Sequence, residues 1–213
     1  MEIPMFFTLE YFEEELIKTF EANPGSNFLR FVAYRKEGGL YTPESSDIDF
    51  LVTAQNRTYR LKERFEIGVF KDFFLNPSFL GSIKSTQKLE YVLASVFAKE
   101  NDWDASLMLN GNKGVVSTNL GNIYCVKGSE ISTPPLGSGA LNGIVRKQLK
   151  VLLEKNKDLT FVEKDFNPFD LQRADEVFVT NVNTLLQPVT NYKKKVFKTD
   201  IALELRSQIE NLI

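Results

Sequence analysis

The stretch from Lys84 to Lys147 constrains the fold more than any other part of the chain, because it joins one helix signal to a close alternation of short β-forming runs and turns. After Lys84, the residues Leu89, Val92, Leu93, Val96 and Phe97 recur at helical spacing, which predicts a helix from about Thr86 to Lys99. Ser106 to Leu109, Val115 to Thr118 and Asn122 to Lys127 follow as strands, separated by a GNKG turn and a short loop and closed by Gly128. Connections this short cannot make parallel crossovers, so the block predicts antiparallel pairing. A loop containing Leu141, Asn142 and Gly143 then leads into a helix from about Ile144 to Lys155.

The flanking parts read as mixed α and β. Thr8 is placed to cap a helix running to about Ala22, with Leu9, Phe12, Leu16, Ile17 and Phe20 on one face, and Asn23, Pro24 and Gly25 stop it. Three β-rich segments follow, Phe28 to Tyr34, Asp47 to Thr53 and Phe65 to Val69, so the first part is a helix with a small sheet. Beyond Lys155 come a strand near Phe161 and Val162, a short helix opened by Asn167 with Pro168 at its first position, a strand Glu176 to Thr180, and a last helix from about Thr199. The break at Asn76 to Gly81 sets the expected boundary between a partial N-terminal α/β domain, 1–77, and a C-terminal domain, 78–213.

Composition excludes whole classes of chemistry. The chain has no histidine, which removes serine-histidine and cysteine-histidine nucleophile systems and the common zinc sets. Its formal charge of -2 carries no long block of either sign, so nothing resembles a nucleic-acid footprint. No apolar run approaches the roughly 20 residues of a membrane span, and no signal-peptide order opens the chain. The single cysteine, Cys125, sits in an apolar run and excludes an internal disulfide, which fits a reducing cytoplasm.

Lys84 followed at fixed spacing by Val92, Leu93 and Ala94, the strand GNIYCVKG, the turn STPPL and the junction GALNGIVRK occur here in the order of the C-terminal half of the class IV aminotransferases. The chain resembles that family of pyridoxal-phosphate (PLP) enzymes, which includes branched-chain and D-amino-acid aminotransferases and aminodeoxychorismate lyase. The resemblance implies an α+β fold of type IV: a partial N-terminal α/β domain and a PLP-binding domain with a β-rich pseudo-barrel flanked by helices. It also implies transfer of an amino group between an amino acid and a 2-oxo acid in a homodimer, with lyase action or a non-catalytic remnant as the alternatives.

Residue by residue, the resemblance makes Lys84 the Schiff-base lysine, a task that needs an amine in a dry pocket where its neutral form is accessible. It makes Gly143, Ile144 and Val145 one half of a phosphate cup. Independently, a glycine before free helix N–H groups suits an anion. Thr180, Asn181, Val182 and Asn183 match the other half, with Val182 where the family often has a hydroxyl, and Asn183 beside the substrate. Ser117 stands where the family has a glutamate that keeps a proton on the cofactor's ring nitrogen, which implies a weaker electron sink. Arg30, in the strand FLRFVAYR, is the expected clamp for a substrate carboxylate, with Arg35 a solvated strand end.

The resemblance begins at Met1-Glu-Ile-Pro-Met, a point inside the family's N-terminal domain. The GDGxFET segment and the HxxRL motif are not found in the sequence. Without the strands that carry them, the segments at Phe28, Asp47 and Phe65 are expected to keep an unpaired edge and exposed apolar surface.

Overall fold

A computed structural model describes residues 6–58 and 60–212, apart from the side chain of Phe79; the opening Met1-Glu-Ile-Pro-Met lies outside the described residues. The chain divides into two compact units, 1–59 and 60–213. In the first, Thr8 caps α1 (Leu9–Glu21) by accepting the Tyr11 N–H at 3.2 Å. Strands β1 (Phe28–Arg35) and β2 (Ile48–Gln55) pair antiparallel from Phe28 opposite Gln55 to Arg35 opposite Ile48.

Aromatic rings hold this unit together. Phe12 of α1 meets Phe31 at 4.8 Å and Phe50 at 5.3 Å between centroids, both edge-on, the arrangement ring quadrupoles prefer. The two strands form a sheet of their own, so each has one edge without a strand among the described residues, and Leu9, Ile17, Phe20 and Leu51 stay exposed. This agrees with the unpaired edge expected for the Phe28 and Asp47 segments. The Phe65 segment behaves differently, because it opens β3 (Glu66–Leu75) of the second unit and is paired on both sides.

The second unit is built on two five-stranded sheets. One has the order β12-β11-β3-β4-β5, with β4 at Ala105–Asn110, β5 at Val115–Thr118, β11 at Asn191–Tyr192 and β12 at Lys195–Val196. The other runs β10-β9-β6-β7-β8, with β6 at Asn122–Lys127, β7 at Glu130–Thr133, β8 at Thr160–Glu163, β9 at Glu176–Asn181 and β10 at Leu185–Val189. Antiparallel pairing holds for β4 with β5, as the short turn requires, and β6 pairs antiparallel with β7, a strand not expected from the sequence. Antiparallel pairing does not run through the block. β5 and β6 belong to different sheets, because the chain crosses from one to the other at the tight turn closed by Thr118 N–H to Gly121 O, 2.9 Å.

Three parallel pairs complete the plan, β11 with β3, β3 with β4 and β7 with β8, and the latter two are each spanned by a helix. Helix α2 (Leu89–Glu100) connects β3 to β4, and α3 (Ile144–Glu154) connects β7 to β8. Between the sheets lies a core containing Ile67, Leu107, Val115, Ile123, Val177 and Val179. Residues one position along point the other way, as the strand period of two dictates. Met108 and Val116 pack with Ala94 of α2, while Tyr124 and Phe178 pack with Leu149 of α3 and Leu205 of α5 (Asp200–Glu210). The order of layers is thus α2, sheet, sheet, then α3 with α5.

Buried polar groups fix the helices to these layers. Glu176, 2% exposed, accepts the Ile201 and Ala202 N–H groups at 2.9 Å each, so a buried carboxylate is neutralised by the positive end of α5. A short helix α4 (Pro168–Leu171) carries a full capping box between Asn167 and Asp170. Among the described residues no helix is long and apolar enough to cross a membrane, and no cluster of His, Cys, Asp and Glu is arranged to hold a metal ion.

Trp103 packs flat on β3 at Gly68, where an added Cβ would lie 1.9 Å from the indole ring. Gly68→Ala should therefore displace the indole and destabilise the protein by about 1–3 kcal/mol, the usual range for overpacking. Urea unfolding followed by Trp103 emission would show it as a lower midpoint; an unchanged midpoint would mean the indole is not held there.

Candidate functional site

Strands β6 and β9 are neighbours, with Asn122 opposite Thr180 and Tyr124 opposite Phe178, all on the face that carries α3. Val145, Arg146, Leu149 and Leu153 bury that helix. Its N-terminus starts at Gly143 with no side-chain cap and no acidic residue in the first turn, so the N–H groups of Ile144 and Val145 keep their partial positive charge. Asn122 holds the approach loop: its side-chain amide donates to Leu141 O at 2.8 Å. Gly143 has an ordinary φ of -67°, and the reason for glycine is space, since a Cβ there would lie 2.6 Å from Asn122 Oδ1.

Several buried oxygens around this end of the sheet have no protein partner, namely Thr180 Oγ1, Tyr124 Oη and Asn183 Oδ1. The Tyr124 and Thr180 hydroxyls are near enough to influence one another yet miss hydrogen-bond geometry. Burial pushes the Tyr124 phenol up to about 12, outweighing the opposite pull of Arg146, so it remains an O–H donor. Each unpaired buried polar group costs on the order of 1–3 kcal/mol. An uncapped helix end beside such hydroxyls is a chemical match for an anionic, hydrogen-bonding group such as a phosphate.

Two residues of the expected cup are occupied otherwise. Asn181 Oδ1 accepts the Asn183 and Thr184 N–H groups at 2.8 and 2.9 Å, so Asn181 builds the turn between β9 and β10. Val182 is exposed at the tip of that turn. Arg146 is only 3% exposed and its guanidinium goes to Thr133 Oγ1 at 3.0 Å and to Glu163 at 2.8 Å, bracing α3 to β7 and β8.

Lys84 lies between a one-turn helix at Phe79–Ser82 and α2. Its segment is tied to the cup by the Asn142 N–H donating to Ser82 O at 3.2 Å. The Lys84 side chain is exposed, in contrast to the dry pocket expected from the sequence. The residue that is half-buried is Lys88, whose ammonium is disfavoured first by burial and then by the charge of Lys84. Lys88 Nζ stands 4.5 Å from the centroid of the Tyr91 ring.

Ser117 of β5 is buried opposite Met108, and its hydroxyl lies close to that of Tyr91 without a partner of hydrogen-bond geometry. Burial raises the Tyr91 phenol, so this corner holds two neutral hydroxyls. Glu130, the acid nearest in sequence, opens β7 and is ion-paired with Lys164. In the first unit the inward residue of β1 is Phe31, while Arg30 is exposed. Arg35 is half-buried and donates to Ser45 O at 3.2 Å, which reverses the expected order of the two arginines. Sequence reading missed Lys88, Tyr91 and Tyr124; α2 begins only at Leu89, so helical periodicity does not link Lys84 and Lys88 to Tyr91.

Residues 1–192 match the model of the amino-transferase class IV family. The chain belongs to the class IV aminotransferases. It is similar to the D-alanine aminotransferase of Staphylococcus haemolyticus, 34% identical over 107 residues, which are 50% of this chain and 37% of that protein. Among solved structures it resembles the 4-amino-4-deoxychorismate lyase of Pseudomonas aeruginosa, with a TM-score of 0.87 at 21% identity, over 98% of this chain and 78% of that one. It also resembles the PLP form of the branched-chain amino acid aminotransferase of Thermobaculum terrenum, with a TM-score of 0.85 at 19% identity, over 99% and 72% of the two chains. Class IV aminotransferases are PLP-dependent, their members include aminotransferases and lyases, and the architecture here is the type IV fold of PLP enzymes. The match with the staphylococcal enzyme spans less than half of that relative's length.

Gly143→Ala should push the loop off Asn122; for a phosphate held at this helix end, the Kd for PLP should rise about tenfold, the effect of losing one or two charge-assisted hydrogen bonds. Equilibrium dialysis would measure it; an unchanged Kd would place the phosphate elsewhere.

Proposed function

We propose that this class IV aminotransferase binds PLP between the N-terminus of α3 and the Lys84 segment, and transfers an amino group between an amino acid and a 2-oxo acid. The observation that carries the reading is the uncapped start of α3, set by Asn122 next to the unpartnered hydroxyls of Thr180 and Tyr124, on a loop hydrogen-bonded to the segment that carries Lys84. When bound, PLP supplies an aldehyde that an amine can join and a ring that draws electrons from the substrate's α-carbon.

The chain's own residues divide the remaining work. The N–H groups of Ile144 and Val145 would hold the phosphate, with the Thr180 and Tyr124 hydroxyls as further donors. Lys84 Nζ would be the attachment point and would then carry the proton to and from the α-carbon. Lys88, half-buried beside it, adds a second positive charge that favours substrate carboxylates. Ser117 with Tyr91 offers hydroxyls where the family pattern has a carboxylate, so nothing there stabilises a charged ring nitrogen. That difference favours modest turnover and supports aminodeoxychorismate lyase action as the second reading. The loop Leu141-Asn142-Gly143-Ile144 and the pair Thr180-Asn181 point the same way. Branched-chain amino acids are the first substrates to test for transfer, and the setting we infer is a cytoplasmic homodimer.

The test is the visible spectrum of the protein mixed with PLP, followed by borohydride and peptide mass spectrometry. A pyridoxyl label on Lys84, absent from Lys84→Ala, is the expected result; labelling that ignores the substitution would end the reading. Ser117→Glu should raise aminotransferase turnover, measured with leucine and 2-oxoglutarate, and an unchanged or lower rate would show that the missing carboxylate is not limiting. Pyruvate released from aminodeoxychorismate without a 2-oxo acid would select the lyase.

A further inference from the structure

A cleft of about 720 Å³ opens in the second unit alongside β3, and it shares no lining residue with the Lys84 and Gly143 site. It exists because the short strand β11 stops pairing with β3 after Ile67, and because β3 bulges away from β4 between Val69 and Phe74. The walls are aromatic, from Trp103, Phe74, Phe169 and the fully buried Tyr192, whose hydroxyl lacks a protein partner. Volume and lining are those of a small-molecule site.

Lysines outnumber acids around the cleft. Lys71, Lys113 and Lys193 line it, each from an exposed position, against Glu66, whose carboxylate is ion-paired with Arg64 at 3.1 Å. Lys193 Nζ already stands 5.3 Å from the Phe169 ring centroid and 5.4 Å from that of Tyr192. Lys113 and Lys193 both occupy tight turns at positive φ, 62° and 54°, where glycine or asparagine is favoured. Two lysines in conformations that disfavour them thus present ammonium groups to one aromatic cleft.

We propose that this cleft is a second ligand site, for a small aromatic carboxylate whose ring lies against Trp103 and Phe169 while its carboxylate meets the lysine rim. Flat aromatic walls select a planar ring, and three ammonium groups with no free carboxylate among the lining residues select an anion. The site is independent of PLP and of the activity proposed above.

Trp103 is the only tryptophan of the chain and reports directly on this cleft. The probe is 4-nitrobenzoate, whose nitroaromatic ring quenches indole emission, with 4-nitrobenzamide as its neutral counterpart. Quenching by the carboxylate should saturate, and the amide should bind about tenfold more weakly. The double variant Lys113→Glu, Lys193→Glu should lose a similar factor, and so should Lys113→Gly, Lys193→Gly, which relaxes both turns and so preserves the fold. Lys84→Ala should bind as the parent does. Linear quenching without saturation, equal affinity for the amide, indifference to the glycine pair, or loss of binding in Lys84→Ala would each overturn the proposal.

Discussion

The side chain of Asn122 is the contact on which the candidate site depends. It leaves β6 toward α3, donates to Leu141 O at 2.8 Å, and leaves room at position 143 for a hydrogen atom only. Because β6 is locked between β7 and β9, the Asn122 amide transfers the register of the sheet to the loop and so to the direction of α3. The uncapped N–H groups of Ile144 and Val145 are thereby aimed by a strand, which is stiffer than any loop. The same loop returns the Asn142 N–H to Ser82, and that bond places the Lys84 segment.

How legible this was from the sequence depends on the range of the interaction. Helices α1, α2, α3 and α5 were readable because apolar spacing, Thr8, Gly143 and the Asn23-Pro24-Gly25 stop are local signals. Sheet membership was not readable. The short connection from Thr118 to Asn122 looks like a hairpin turn, yet it carries the chain between sheets, and only long-range packing of Val115 and Ile123 in one core decides that. Strand β3 looked like part of the first unit by proximity in sequence, while its partner β4 lies beyond a whole helix. Strands β7, β10, β11 and β12 are not legible: β7 is only four residues long, and Pro188 and a run of lysines mask the alternation in the others.

The site was legible to the same extent. A family pattern can mark Lys84 and Gly143, since it records spacing. It cannot say whether Arg30 or Phe31 points inward: the structure gives the inside to Phe31, whose ring packs with those of Phe12 and Phe50 in one aromatic cluster that a charged guanidinium would not join. Nor can spacing reveal that Asn181 is consumed by its own turn, or that Tyr124, which reads as a strand residue, keeps an unpartnered hydroxyl under α3.

The buried charges of the second unit are matched where they stand. Buried Arg146 is matched by Glu163, buried Glu176 by the N-terminus of α5, and Lys62 by Asp104 at 2.6 Å. At the start of α3 the helix N-terminus has no acid in its first turn, and on the α2 side Lys84 and Lys88 stand close enough to repel while Ser117 carries an unpartnered hydroxyl. Burial and the neighbouring Lys84 both work against the Lys88 ammonium, and Glu90 opposes them. A ligand that brings a phosphate to the helix end and a carboxylate to the lysines would relieve both imbalances at once. A ligand with a single anionic end would leave one of them in place, and a neutral ligand both.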